Sequence, residues 1–169
     1  DVGMAGAKLY YPDDTIQHAG VVVGLGGVAA HVLCKLPRDA EGYMGRLRCV
    51  QEISAVTAAC MMVKTSVFKA VGGFDEELKV AFNDIDLCMK VRKYGVKIVF
   101  TPYAELYHYE SKSRGMEDTP EKQLRFSREV NCFRRKWERE LLKGDPYYNP
   151  NLTLNNTDCS LRKQEKNGD

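Results

Sequence analysis

The 169-residue chain is 44% hydrophobic and carries 25 Lys and Arg against 23 Asp and Glu, a formal charge of +2. That length and apolar fraction suit a single domain with its own core, and the near-neutral balance excludes nucleic acid as the main partner. No apolar run approaches the roughly 20 residues that cross a bilayer.

Six cysteines, Cys34, Cys49, Cys60, Cys88, Cys132 and Cys159, form no C-x-x-C pair and mostly sit in apolar runs, where a buried thiol acts as a small hydrophobe. A reducing, cytoplasmic setting is expected. The opening DVGMAGAKLYYPDD lacks the basic-then-apolar layout of a signal peptide and enters a strand pattern without a methionine, as a piece of a longer protein would.

In chain order, MAGAKLYY reads as a buried strand, and YPDDTIQHAGVVVG as a Pro-Asp-Asp turn followed by a Val-rich strand pair at a sheet edge. Residues 24–47, rich in Gly and small side chains, read as an irregular loop holding one short helix. A strand is predicted through Ser54–Val63, then a short helix with Thr65 as its N-cap and Gly72-Gly73 as its stop. Asn83 or Asp84 caps the next helix, which runs to about Tyr94. Its apolar side carries Ile85, Leu87, Cys88, Met89 and Val91, and Gly95 is a left-handed terminator. VKIVFTPYAELYHYES reads as two more strands. Thr119 as cap, Pro120 at the first helical position and Gly144 at the end punctuate a C-terminal helix, with Leu124, Val130, Phe133, Trp137 and Leu141 at packing positions. The polar tail beyond it is expected to wrap the surface and fray.

Asp84 and Asp86 pose the chemical question. Two residues apart on a helix, they point about 200° apart and do not chelate one ion together. In an extended loop the same spacing puts both carboxylates on one side of the chain, as metal–nucleotide sites often require. A capping role for Asp84, with Asp86 favouring the positive helix end, would stabilise by roughly 1 kcal/mol and explains both residues without catalysis.

The ordered run VTAACMMVKTSVFKAVGGFDEELKVAFNDIDLCMKVRKYGVKIVFTPYAELYHYESKSRG, with IQHAGVVVGLGGVAAH before it, resembles the inverting family 2 glycosyltransferases of the GT-A fold. The likeness covers most of residues 1–118 and looks closest to the modules of that kind in bacterial proteins that build surface polysaccharides. It implies an α/β protein, a partial GT-A fold with a mixed sheet, flanking helices and a C-terminal helix. Residues 1–118 would be the acceptor-binding and catalytic-base part, and 119–169 the C-terminal helix and surface tail.

The same resemblance implies transfer of a sugar from a nucleotide-sugar donor to a carbohydrate or lipid-linked glycan acceptor, with Asp84 as general base. Asn83 stands where the family usually carries a glutamate, which removes one negative charge beside the base. His108 would be a ligand of Mn²⁺ or Mg²⁺, the cation that neutralises the leaving diphosphate. Lys112, Ser113 and Arg114, with Gly115, would form a loop over that diphosphate, and Thr57, Gly72, Gly73, Asp75 and Asp86 would lie on the acceptor side. His18 and His31 have no comparable support.

No nucleotide-binding half with its D-x-D motif precedes the first of these motifs. The chain alone is therefore expected to be inactive, and an exposed sheet edge where that half would continue favours self-association. The setting implied is cytoplasmic, with the inner face of a membrane reached through lipid-linked acceptors. Two rival classes remain: a non-catalytic glycan- or partner-binding module in which Asp84 only caps, and a two-carboxylate glycoside hydrolase, for which the sequence specifies no pair of acids as well as it specifies the transferase order.

Overall fold

A computed structural model describes residues 1–109 and 119–163. In chain order its elements are β1 (Val2–Tyr10), β2 (Ile16–His18), β3 (Val21–Val23), β4 (Ala29–His31), β5 (Gln51–Glu52), β6 (Met61–Val63), α1 (Thr65–Ala70), α2 (Asn83–Lys93), β7 (Lys97–Tyr107), α3 (Pro120–Lys136) and α4 (Glu138–Lys143). Five strands form one mixed sheet in the order β2-β1-β7-β5, with β6 also paired to β1, while β3 and β4 make a separate two-stranded ribbon. The protein is thus a mixed α/β structure, as the sequence predicts.

The parallel pair β1–β7 is the axis of the sheet, and its register runs from Val2 opposite Lys97 to Tyr10 opposite Tyr107. Both strands therefore end together at Tyr10 and Tyr107, and in open α/β sheets the carboxyl ends of parallel strands are where ligands bind. β2 folds back antiparallel on the last residues of β1. Met4, Leu9, Tyr10, Ile98 and Phe100 from the pair are buried, and Ile85, Leu87, Cys88, Met89 and Val91 of α2 join the same core. Those five are the apolar side expected for this helix. Its end matches too, with Gly95 in the left-handed region at φ 93°.

Other local signals hold. α1 stops in a Schellman arrangement, Gly73 N–H donating to the Phe68 carbonyl and Gly72 N–H to that of Lys69. The Thr119 hydroxyl accepts from Lys122 N–H at 3.3 Å, so it caps α3 as predicted. Thr65, in contrast, is the first residue of α1 rather than its cap, which is Lys64.

Several expectations are corrected. Of the strand predicted through Ser54–Val63, only Met61–Val63 forms a ladder. The amide groups before it turn to side chains instead: Val56 N–H to Cys88 Sγ at 3.4 Å, Thr57 N–H to His18 Nε2 at 3.5 Å and Ala58 N–H to Asp84 Oδ2 at 3.1 Å. VKIVFTPYAELY is one strand, not two, because the register slips from Ala7–Thr101 to Lys8–Glu105 and leaves Pro102, Tyr103 and Ala104 as a bulge; Pro102 has no N–H to give a ladder. The C-terminal helix breaks at Trp137, and Leu124 is 53% exposed rather than packed. The tail does not fray within the described residues: Tyr148, Leu152 and Cys159 are buried, and the carbonyls of Leu154 and Thr157 accept from Gly26 and Leu33 N–H at 2.8 and 2.6 Å. Of the six thiols, only Cys88 and Cys159 are buried. No helix among the described residues is long and apolar enough to cross a membrane.

The crossing of residues 54–60 over the sheet depends on Gly6, where a Cβ would stand 2.3 Å from Val56 Cγ1. Gly6→Ala should destabilise by about 1–3 kcal/mol through overpacking. Urea unfolding of Gly6→Ala, Val56→Ala and the double variant checks this, because truncating Val56 should return part of the loss rather than add to it.

Candidate active site

The chain enters α2 through a strained turn. Phe82, the residue before the helix, lies in the left-handed region at φ 62°, a conformation that costs a non-glycine residue roughly 1–2 kcal/mol. It is held from outside: its ring packs on Phe126 and Phe133 of α3 at centroid distances of 5.8 and 5.4 Å. The loop just ahead is held more firmly. The buried Glu129 carboxylate accepts from three successive backbone amides, Lys79 at 3.1 Å, Val80 at 3.2 Å and Ala81 at 2.8 Å.

This turn sets out Asn83 and Asp84 as the first two helical residues, so neither is the N-cap; that position belongs to Phe82. Asn83 Oδ1 accepts from Asp84 N–H at 2.7 Å. The half-buried Asp84 carboxylate accepts from Ile85 N–H through Oδ1 at 2.9 Å and from Ala58 N–H through Oδ2 at 3.1 Å. It makes no salt bridge among the described residues. Two amide anchors thus fix the carboxylate while leaving part of its capacity of about four acceptor sites unused.

Asp86 has a different fate. Fully buried, it accepts from Trp137 Nε1 at 2.8 Å and pairs with Lys90 at 2.9 Å and Lys136 at 2.8 Å. Lys136 also pairs with Asp75, and Lys90 Nζ donates to the Gly73 carbonyl at 3.1 Å. The Lys136 hydrogen bond, then the Glu77 N–H, hold the Asp75 carboxyl below its ordinary value. Burial alone would lower Lys136, but its bonds to Asp75 and Asp86 outweigh that and raise it. The Gly72-Gly73-Phe74-Asp75 turn, α2 and α3 are thereby clamped around one ammonium group, and Gly72 itself is exposed on the outside of the turn.

β2 connects the remaining residues. His18 is fully buried, with Nδ1 2.9 Å from His31 Nδ1 and Nε2 accepting from Thr57 N–H. The peptide after Thr57 carries the Ala58 N–H that holds Asp84, so this pair stands behind the Asp84 anchor. His108, just past β7, donates its backbone N–H to the Tyr10 carbonyl at 3.0 Å and meets the side chain of Gln17. The site therefore gathers Thr57 with Asp84, and Gly73 and Asp75 with Asp86, while His108 is tied to Tyr10 and Gln17. Lys112, Ser113 and Arg114 lie outside the described residues. A cleft of about 590 Å³ lined by Arg92, Lys93, Trp137, Lys143 and Tyr147 opens at the opposite end of α2 and does not include these groups.

Sequence reasoning missed Glu129, Gln17, Lys136 and the His18–His31 pair. A Glu beside apolar Val130 on an otherwise basic helix was the available signal for Glu129. The partners it finds lie 48 to 50 residues away, which no local pattern reports.

Two measurements test this assembly. Glu129→Ala removes the shared acceptor of three part-buried amides and should cost about 2–3 kcal/mol in chemical denaturation. For His18, burial and then His31 push the imidazole well below its ordinary value, so the folded chain keeps it neutral. Below about pH 6.5 the unfolded chain binds a proton that the folded one does not, so stability should fall by up to about 1.4 kcal/mol per pH unit until the folded imidazole itself protonates. Urea midpoints at pH 7.5 and 5.5 should show a smaller acid loss in His18→Gln than in the parent.

The chain is 59% identical over 161 residues, 95% of its length, to the uncharacterized protein y4gI of Sinorhizobium fredii. It is 39% identical over 170 residues, its full length, to the O-antigen biosynthesis protein RfbC of Myxococcus xanthus. A segment of 62 residues, 37% of the chain, is 36% identical to the N-acetylglucosaminyl-diphospho-decaprenol L-rhamnosyltransferase of Mycobacterium tuberculosis and covers 20% of that enzyme. The chain spans only 18% and 13% of the first two proteins. No family model and no solved structure matches it. The chain is thus similar, over its whole length, to one segment of a protein named for O-antigen biosynthesis and, over a shorter stretch, to a rhamnosyltransferase.

Proposed function

We propose that this chain is the acceptor-side, catalytic-base part of an inverting glycosyltransferase of family 2 and the GT-A fold, acting in bacterial polysaccharide synthesis. The observation that carries the reading is Asp84: a half-buried carboxylate held by two backbone amides, at the head of a helix, with no cation paired to it among the described residues. The names of the relatives supply the reaction class.

In this reading Asp84 takes the proton of an acceptor hydroxyl as that oxygen attacks the anomeric carbon, opposite the leaving nucleoside diphosphate. Attack from that side inverts the anomeric centre. The Ala58 and Ile85 amides keep the carboxylate aimed, which matters because a misplacement of about 1 Å costs on the order of a hundredfold in rate. Asp86 and Asp75 act through Lys136 as braces for the acceptor-side turn containing Gly72 and Gly73.

His108 fits a divalent cation as a nitrogen ligand, since its backbone and one ring nitrogen are engaged by Tyr10 and Gln17 and the second ring nitrogen has no partner among the described residues. Among the described residues no group of three or more His, Cys, Asp or Glu stands ready for a metal, so His108 would contribute one ligand of a set completed elsewhere. Bound there, Mn²⁺ or Mg²⁺ would neutralise charge on the diphosphate. Donor and acceptor are a nucleotide sugar and a glycan, free or lipid-linked.

In a protein carrying this chain together with a nucleotide-binding half, acceptor-dependent release of nucleoside diphosphate from a panel of nucleotide sugars is expected. Asp84→Asn should lower it by about 10²–10⁴. Release that survives the substitution would return Asp84 to a helix-end role and leave the chain a glycan- or partner-binding module.

A further inference from the structure

β2 is three residues long, and all three side chains are buried, which a regular strand with one face to the core would not give. Its pairing with β1 explains why. His18 lies opposite Leu9 and Ile16 opposite Tyr10, so Gln17 has no partner on β1 and is the extra residue of a bulge. Bulges redirect a side chain out of the strand's alternation. Here the redirected side chain is the Gln17 amide, and it meets His108 at two points: its Nε2 is 3.2 Å from the His108 carbonyl oxygen and its Oε1 is 2.8 Å from His108 Nδ1.

The chemistry of those two contacts leaves one arrangement. A backbone carbonyl only accepts, so the amide nitrogen must face it. The amide oxygen then faces Nδ1, and since that oxygen also only accepts, Nδ1 must carry the proton. The remaining nitrogen, Nε2, is left with its lone pair, which is the form of a neutral imidazole that binds a metal through Nε2.

We propose that Gln17 is a positioning residue for His108, locking the imidazole as the Nδ1–H tautomer and presenting Nε2 as a ligand atom for a divalent cation. The ligand half of this statement rests on the function proposed above; the tautomer half does not. Gln17 is 5% exposed and tethers both the ring and the backbone of His108, so it fixes position as well as proton placement. Groups that orient a metal-binding histidine in this way typically change metal affinity by 10–100-fold when removed.

The test uses the 169-residue chain labelled with ¹⁵N at histidine, of which it has only three. Long-range proton–nitrogen correlation at a pH where the imidazoles are neutral reads the tautomer of each, and a His108→Gln sample assigns the signal. His108 should be Nδ1–H in the parent. In Gln17→Met, similar in volume but unable to accept, it should shift to the Nε2–H form that neutral imidazole prefers in water. Gln17→Glu, which still offers an acceptor to Nδ1, should keep Nδ1–H and so separates proton placement from any general loosening. An Nε2–H parent, or a Met variant that retains Nδ1–H, overturns the proposal. Mn²⁺ titration of a protein carrying this chain together with the nucleotide-binding half that would complete the ligand set then judges the ligand half: broadening of the His108 ring at a concentration tenfold or more lower in the parent than in Gln17→Met supports it. Equal sensitivity in the two overturns Gln17 as a determinant of metal binding. A parent ring untouched by Mn²⁺ overturns the metal reading of His108 while leaving the tautomer result to stand by itself.

Discussion

The arrangement turns on the carboxylate of Glu129. Three consecutive amides converging on one buried acidic side chain amount to a loop whose shape is dictated by a helix from a later part of the chain. Those amides precede Phe82, whose left-handed backbone is unfavourable by itself and is compensated by two aromatic rings of that same helix. Only because this loop is fixed does α2 start where it does, and only because α2 starts there does Asp84 meet the Ala58 amide. The C-terminal helix, which looks in sequence like plain packing material, is the brace of the candidate site.

A second brace works by charge. Lys136 lies between Asp75 and Asp86, and Lys90 joins Asp86 to the Gly73 carbonyl. Taking Asp86 out of water is costly unless its charge is matched, and here two ammonium groups match it while an indole N–H bonds Oδ1; Oδ2 meets Lys90 as an ion pair without a hydrogen bond. Two neighbouring aspartates of similar sequence appearance therefore have divergent environments: one is buried and paired with two cations, and the other keeps lone pairs unoccupied among the described residues. The distinction comes from burial and partners, since a spacing of two residues on a helix puts them on different sides.

What was legible in the sequence was local. Gly72-Gly73 after a short helix, Gly95 after a longer one, and Thr119-Pro120 ahead of α3 each act within a few bonds of where they stand, so their signals are complete in the sequence. Ser54–Cys60 misled because Ala55 and Val56 are buried as a strand's residues would be, while amides of the stretch bond to His18, Asp84 and Cys88, groups from three other places. The tail misled by composition: Asn- and Pro-rich, it still buries Tyr148, Leu152 and Cys159 and supplies carbonyls to the Gly-rich loop. For the site itself, Asp84 stood out in the sequence, while Ala58, which anchors it, and Glu129, which shapes the loop ahead of it, did not, because both are distant along the chain.

That distance bears on how the protein is made. The amides of residues 79–81 wait for a side chain 48 to 50 positions downstream. At synthesis rates of about 5–20 residues per second the wait is roughly 2.5 to 10 s. During that interval the β1 segment has long emerged and the α2 segment is complete, yet the turn that introduces Asp84 has neither its acceptor nor the rings that steady Phe82. The nascent chain thus passes through a period in which its most constrained turn is unsupported, and the site is among the last parts of the fold to be completed.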